Sequence, residues 1–184
     1  MVQIVNYLLY QIGWLACIGG VALGDRKIGM LVAFGLIGAH LWLATDRRTQ
    51  LTLMLITAFV GLIVDSTLIS SGAVWFPFGS LISWMPPFFM TVLWMQFATT
   101  FQYCMRWLSG RYWMSSLLAG FGAPLAFAAG ERLGVIGFYQ PRALHFAFLG
   151  GLWAVAIPAL IYASDRLSRF SKVEATYRWP CTGS

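Results

Sequence analysis

Six stretches of nearly unbroken apolar sequence, separated by short charged or glycine-rich breaks, set the periodicity of this chain. The first runs from Val2 to Leu23 and stops at Asp25-Arg26-Lys27. A second, from about Ile28 to Thr45, stops at Asp46-Arg47-Arg48, and a third occupies residues 51 to 70. Each approaches the ~20 residues a helix needs to cross ~30 Å of hydrocarbon. After Gly72 comes AVWFPFGSLISW, whose Trp, Phe, Gly and Pro fit an interfacial loop or a short in-plane segment, since aromatic rings favour the headgroup level. Pro86 and Pro87 suit the first turn of a fourth helix, where a missing N–H costs nothing, and that span extends to about Met105. Tyr112 to Gly130 and Ala143 to Ala163 make the fifth and sixth. The pattern predicts an all-α fold, a polytopic transmembrane helix bundle of about six spans. It divides into a single transmembrane domain over 1–167 and a short polar cytoplasmic tail over 168–184.

Composition agrees: of 184 residues, 59% are hydrophobic and only 10% charged, more apolar surface than a soluble core of this size uses. The opening stretch lacks the basic segment of an export signal, and Trp14 ahead of Leu15-Ala16-Cys17 disfavours a lipoprotein cleavage site, so it reads as a retained helix. Basic residues set the orientation, because they collect in cytoplasmic loops. With six spans and a cytoplasmic N-terminus, Arg47, Arg48, Arg106, Arg111, Arg166, Arg169, Lys172 and Arg178 fall inside, against Arg26, Lys27, Arg132 and Arg142 outside. Both termini are therefore expected in the cytoplasm, and the expected location is a bacterial inner membrane.

The net charge of +6 is scattered among loops rather than gathered into a stripe with stacking aromatics, so nucleic acid is not expected and membrane lipids are the expected partners. A membrane-protein partner or a second copy of the chain remains open. Cys17, Cys104 and Cys181 have no paired spacing, no nucleotide-binding or hydrolase motif is present, and neither a metal nor a cofactor is expected. Glycines in the apolar runs, such as Gly13, Gly19, Gly20, Gly35 and Gly38, read as helix-packing positions.

Candidate chemistry rests with polar side chains inside the spans: Asn6 and Gln11, His40, Asp65, then Gln96, Thr99 and Thr100. Asp65 is the costliest, at ~2.5 to 3.5 kcal/mol or more if left facing lipid, so it is expected to face the bundle interior or a wet cavity. Gly61, one turn earlier on the same face, leaves room for a neighbour. A rise of ~1.5 Å per residue from Leu51 places Asp65 roughly 21 Å along, in the outer part of the membrane. Such a carboxyl could serve as a general acid or a proton relay, or fix packing by bonding to Asn6, Gln11 or the backbone. Asp65 and His40 are the candidate catalytic residues, and Gln11, Trp94, Phe97 and Thr99 the candidate substrate contacts. Trp94 and Phe97 could line an acyl or isoprenoid groove. Threonines in a membrane helix more often bond their own backbone.

The stretches QIGWLACIGG, GLIVDSTLIS, PPFFMTVLWMQFATTFQYCMRWLSGR and AGFGAPLAFAAGERLG, in this order and spacing, resemble the bacterial inner-membrane domain-of-unknown-function family 2878, over most of the chain up to about Leu167. The resemblance implies a role for Trp14, Asp65, Trp94, Phe97, Thr99, Pro124 and Gly130, and it sets Gln96 apart, since an apolar residue is usual there. It implies no activity. It does suggest proximity to enzymes that modify membrane fatty acids. The expected function is involvement in membrane lipid or fatty-acid modification, or lipid binding. The alternatives are a small proton-coupled transporter and a structural or accessory subunit. The first three spans contain no proline to match Pro124 and Pro158, which leans against a transporter built from internal repeats. Asp65 has few titratable companions, which leans against ready catalysis.

Overall fold

The computed structural model describes residues 1–171 and residue 176. Its helices are α1 (Val2–Ala22), α2 (Arg26–Leu43), α3 (Arg47–Ser70), α4 (Phe88–Phe101), α5 (Tyr112–Arg132) and α6 (Arg142–Phe170). All but α4 are long and apolar enough to cross a membrane. The protein is an all-α polytopic bundle, with a single small addition that the pattern did not predict. Strands β1 (Val74–Trp75) and β2 (Gly137–Phe138) pair antiparallel, tying the α3–α4 loop to the α5–α6 loop. The rest of the 76–85 segment is irregular and carries exposed Leu81, Ile82 and Trp84. Lys172, Arg178 and Cys181 lie outside the described residues, as does most of the expected tail.

Local chemistry fixes the helix ends. The Asp25 carboxylate accepts from the Ile28 N–H at 3.3 Å and starts α2, and Asp46 accepts from the Thr49 N–H at 3.1 Å and starts α3. Helix α3 thus begins four residues before Leu51 and takes Gln50 into its first turn. Gly72, with φ of 69°, turns the chain after α3 in a conformation a side chain would resist. Pro87 is the cap of α4 rather than part of its first turn, and α4 stops at Phe101. Its 14 residues rise only about 20 Å, short of a bilayer core. A turn through 102–105 and a 3₁₀ turn at Arg106–Leu108 follow it and lead into α5.

Three helix pairs, α1–α2, α3–α4 and α5–α6, make the closest associations. Short α4 sits centrally, against α1, α2 and α3, while α3 also meets α6 and α5 rests chiefly on α6. Lipid supplies no hydrophobic drive between helices, so close approach does the work. At the α1–α2 contact, a methyl on Gly20 would lie 2.8 Å from Gly29 Cα. At α5–α6, a methyl on Gly150 would lie 2.6 Å from the Gly120 carbonyl oxygen. That carbonyl sits four residues before Pro124, which has no N–H to give it, and Gly150 lets α6 cover it. Pro158 likewise deprives the Ala154 carbonyl, which accepts instead from the Ser116 hydroxyl of α5 at 2.7 Å.

Asn6 near the start of α1 accepts from the Cys104 N–H beyond α4, and Thr45 between α2 and α3 exchanges hydrogen bonds with Thr176. The start of α1, the end of α4, the α2–α3 link and Thr176 therefore lie at the same end of the bundle, here called the near end. Asp65 and the β1–β2 ribbon lie toward the far end.

The α5–α6 contact predicts a sharp contrast between adjacent glycines. Gly150→Val should lower the unfolding midpoint in mild detergent by the equivalent of about 1–3 kcal/mol, as overpacking does. Gly151→Ala, where no atom lies within 4 Å of the added methyl, should be nearly silent. Equal effects of the two substitutions would contradict this packing.

Candidate functional site

Asp65 is 1% exposed and faces α4, with Gly61 one turn below it on the same face of α3. Trp94 of α4 lies over Gly61 so closely that a methyl there would come within 2.1 Å of the indole ring. The indole N–H donates to Asp65 Oδ2 at 2.8 Å. The other carboxylate oxygen, Oδ1, is buried without a hydrogen-bond partner among the described residues, and no cation pairs with it there. A half-satisfied carboxyl group in hydrocarbon is costly, so its hold on Trp94 is not incidental packing.

Trp153 of α6 stacks on Trp94, with centroids 4.5 Å apart and planes inclined by 28°. The indole N–H of Trp153 is buried and unpartnered among the described residues. Phe97 stands edge-on to Trp94 at 6.5 Å and reaches Tyr10 of α1 at 5.7 Å, while Phe127 of α5 meets Trp153 edge-on at 6.1 Å. This aromatic wall lines two apolar cavities. A smaller one of about 60 Å³ lies against Trp14, Trp94 and Phe127, and a larger one of about 200 Å³ runs along α5. Tyr10, Phe97 and Trp153 line both.

The larger cavity exists because one face of α5 is nearly bare. Ala119, Gly122, Ala123 and Ala126, at helical i, i+3, i+4 and i+7 spacing, all line it. Ala123, Ser115, Leu108 and Ile157 are buried and form its back, whereas Leu118, Gly122 and Ala126 are exposed at its edge. The cavity is therefore a groove open sideways at the surface of the bundle. Among the described residues no group of three His, Cys, Asp or Glu side chains is placed to hold a metal ion.

A second polar cluster crosses the near half of the bundle. His40 Nε2 bonds Gln50 Oε1 at 3.1 Å, Gln50 donates to Gln102 Oε1 at 2.7 Å, and Gln102 donates to the Ser164 carbonyl at 3.4 Å. Tyr103 meets the His40 ring edge-on at 5.0 Å. This relay ties α2, α3, the end of α4 and α6 together. Below it, Asp46 accepts from Ser171 and Thr49; partial burial works against the charge, but these hydrogen bonds hold the carboxyl below its ordinary range.

The family model described as "Protein of unknown function (DUF2878)" matches residues 3–159. The chain belongs to the DUF2878 family. No curated protein and no solved structure matches it.

In this DUF2878 protein, the structure unites Asp65, Trp94 and Phe97 of the sequence-predicted residues and disperses the others. His40 belongs to the near cluster; its partner Gln50 stands 15 residues before Asp65 on α3, about 22 Å away. Thr99 is buried, its hydroxyl donating to the Gln96 carbonyl at 2.7 Å and its carbonyl accepting from Asn6 at 3.0 Å. Gln11 is half-buried on α1 and lines neither cavity. Gln96 crosses into α1 through the gap left by Gly13 and donates to the Leu9 and Tyr10 carbonyls at 3.3 and 3.4 Å. Trp153 was not singled out in the sequence, although a tryptophan in the middle of a span, away from the headgroups where that residue usually sits, is itself a signal.

The Asp65–Trp94 bond predicts coupling. Trp94→Phe should cost about 1–3 kcal/mol by leaving the carboxylate without its donor, and that cost should shrink by at least ~1 kcal/mol in an Asp65→Leu background. Unfolding titrations of the two single variants and the double variant measure it, and strict additivity would show that the two side chains do not interact.

Proposed function

We propose that this protein binds an apolar chain, the acyl tail of a membrane lipid, in the lateral groove between α1, α4, α5 and α6. The observation that carries this reading is the groove itself, about 200 Å³ of apolar space backed by Tyr10, Phe97 and Trp153 and opened by the small residues of α5. Aromatic walls with few polar groups suit an apolar ligand, and a groove inside the hydrocarbon layer is reached from the bilayer rather than from water. Asp65 acts through Trp94, whose ring it fixes. The reading is one of binding rather than turnover, since the second candidate acid–base group, His40, is engaged elsewhere.

The near end faces the cytoplasm, and in a bacterium the membrane is the inner one. Charge supports this orientation: Arg47, Arg48, Arg106, Arg111, Arg166 and Arg169 lie toward the near end, against Arg26, Lys27, Arg132 and Arg142 toward the far end.

Purification of the full chain in mild detergent, followed by solvent extraction and lipid mass spectrometry, tests the groove. The wild type should retain lipid, and Gly122→Trp, which fills the groove from an exposed edge position, should reduce retention roughly fivefold or more with helical content unchanged. Equal retention by both proteins would overturn the reading.

A further inference from the structure

The groove has a direction. Along α5 its lining begins at Ser115, about 5 Å from the helix start at Tyr112, and ends at Ala126, about 21 Å from it. Its near end is formed by Met105 and Leu108, in the connection between α4 and α5, and its deep end by Trp153 and Ala126. Among the described residues no charged side chain lines the groove.

Charge is found around the near mouth. Arg106 follows Met105 and opens the short 3₁₀ turn that ends at Leu108, and exposed Arg111 precedes α5. Arg166 and Arg169 project from the near end of α6, where Arg166 lies over Tyr162 and donates to its hydroxyl at 2.8 Å. Among the described residues the acid beside these arginines is Asp165, whose two oxygens accept from the Ser109 hydroxyl at 2.6 Å and the Tyr112 hydroxyl at 2.9 Å. Arg111 makes no ion pair among the described residues. Exposed Trp107 and Trp113 flank the mouth, as rings at headgroup level do.

Resting on the groove as an acyl-chain site, we infer that its occupant is an anionic phospholipid of the near leaflet, its phosphate held at the mouth by Arg111 and its neighbouring arginines and its tail directed inward toward Trp153. A chain seated the other way would bring its headgroup to the uncharged aromatic end, where the desolvation cost is uncompensated. Basic pockets between helices favour anionic over zwitterionic heads, by about fivefold per arginine near the surface.

Native mass spectrometry of the full chain, titrated with dioleoyl phosphatidylglycerol or dioleoyl phosphatidylcholine, tests this. The wild type should prefer phosphatidylglycerol. Arg111→Gln should lower that preference about fivefold with phosphatidylcholine binding unchanged, and Arg132→Gln at the far end should have no effect. Equal binding of the two lipids, both still blocked by Gly122→Trp, would overturn the anionic assignment and leave the groove standing. Loss of preference in Arg132→Gln rather than Arg111→Gln would overturn the leaflet. Binding of both lipids unaffected by Gly122→Trp would overturn the groove itself, and this inference with it.

Discussion

The hydrogen bond from the Trp94 indole to the Asp65 carboxylate, made possible by the bare backbone at Gly61, is the contact on which the interior of this bundle depends. It places a large ring at a fixed angle between α3 and α4. Trp153 stacks on that ring and brings α6 against it, and Phe97 packs on both indoles. The groove wall is the far side of the same stack. In hydrocarbon an apolar partner gains little by moving from lipid to protein, so a polar anchor with a tight steric fit specifies this arrangement better than apolar contact alone.

The buried polar groups separate into two clusters with different work. Near the cytoplasmic end of the proposed orientation, His40, Gln50 and Gln102 satisfy one another in sequence and join four helical segments, as a network suited to fixing one packing arrangement does. Toward the far end, Asp65 and Trp153 each keep one polar atom unpartnered among the described residues, as do Thr57, Ser66 and Gln96 elsewhere, and Trp153 also lines the groove. A satisfied network and an incompletely satisfied one thus stand about 22 Å apart on α3, and the first is suited to fixing the packing.

Much of the fold was legible because a span in a bilayer must be long, apolar and internally hydrogen-bonded. The helix at Asp65 and the closeness allowed by Gly61 followed from one-turn spacing, and the self-bonding of Thr99 and Thr100 followed from the short reach of their hydroxyls. What was hidden depends on contacts between distant segments. Gln50 looked like a loop residue because the apolar run begins at Leu51, yet the Asp46 cap draws it into α3 and inward. The β1–β2 pair involves only two residues from each strand, too few for an alternation to show. Trp153 became visible as part of the site only when α6 was seen against α4, and the groove beside the small residues of α5 only when α1, α4, α5 and α6 were seen together.

In the proposed reading, the Asp65-anchored tryptophan stack shapes a lipid groove. A phospholipid carrying a photoreactive diazirine midway along one acyl chain tests this most directly, with crosslinked peptides read by mass spectrometry after reconstitution of the full chain. In the wild type, crosslinks should concentrate on Tyr10, Phe97, Trp153 and the Ala119–Ala126 face of α5, and Gly61→Leu, which drives Trp94 from its seat, should redistribute them. Crosslinks confined to outward-facing positions such as Leu117 and Leu125, or a groove pattern unchanged by Gly61→Leu, would contradict the account.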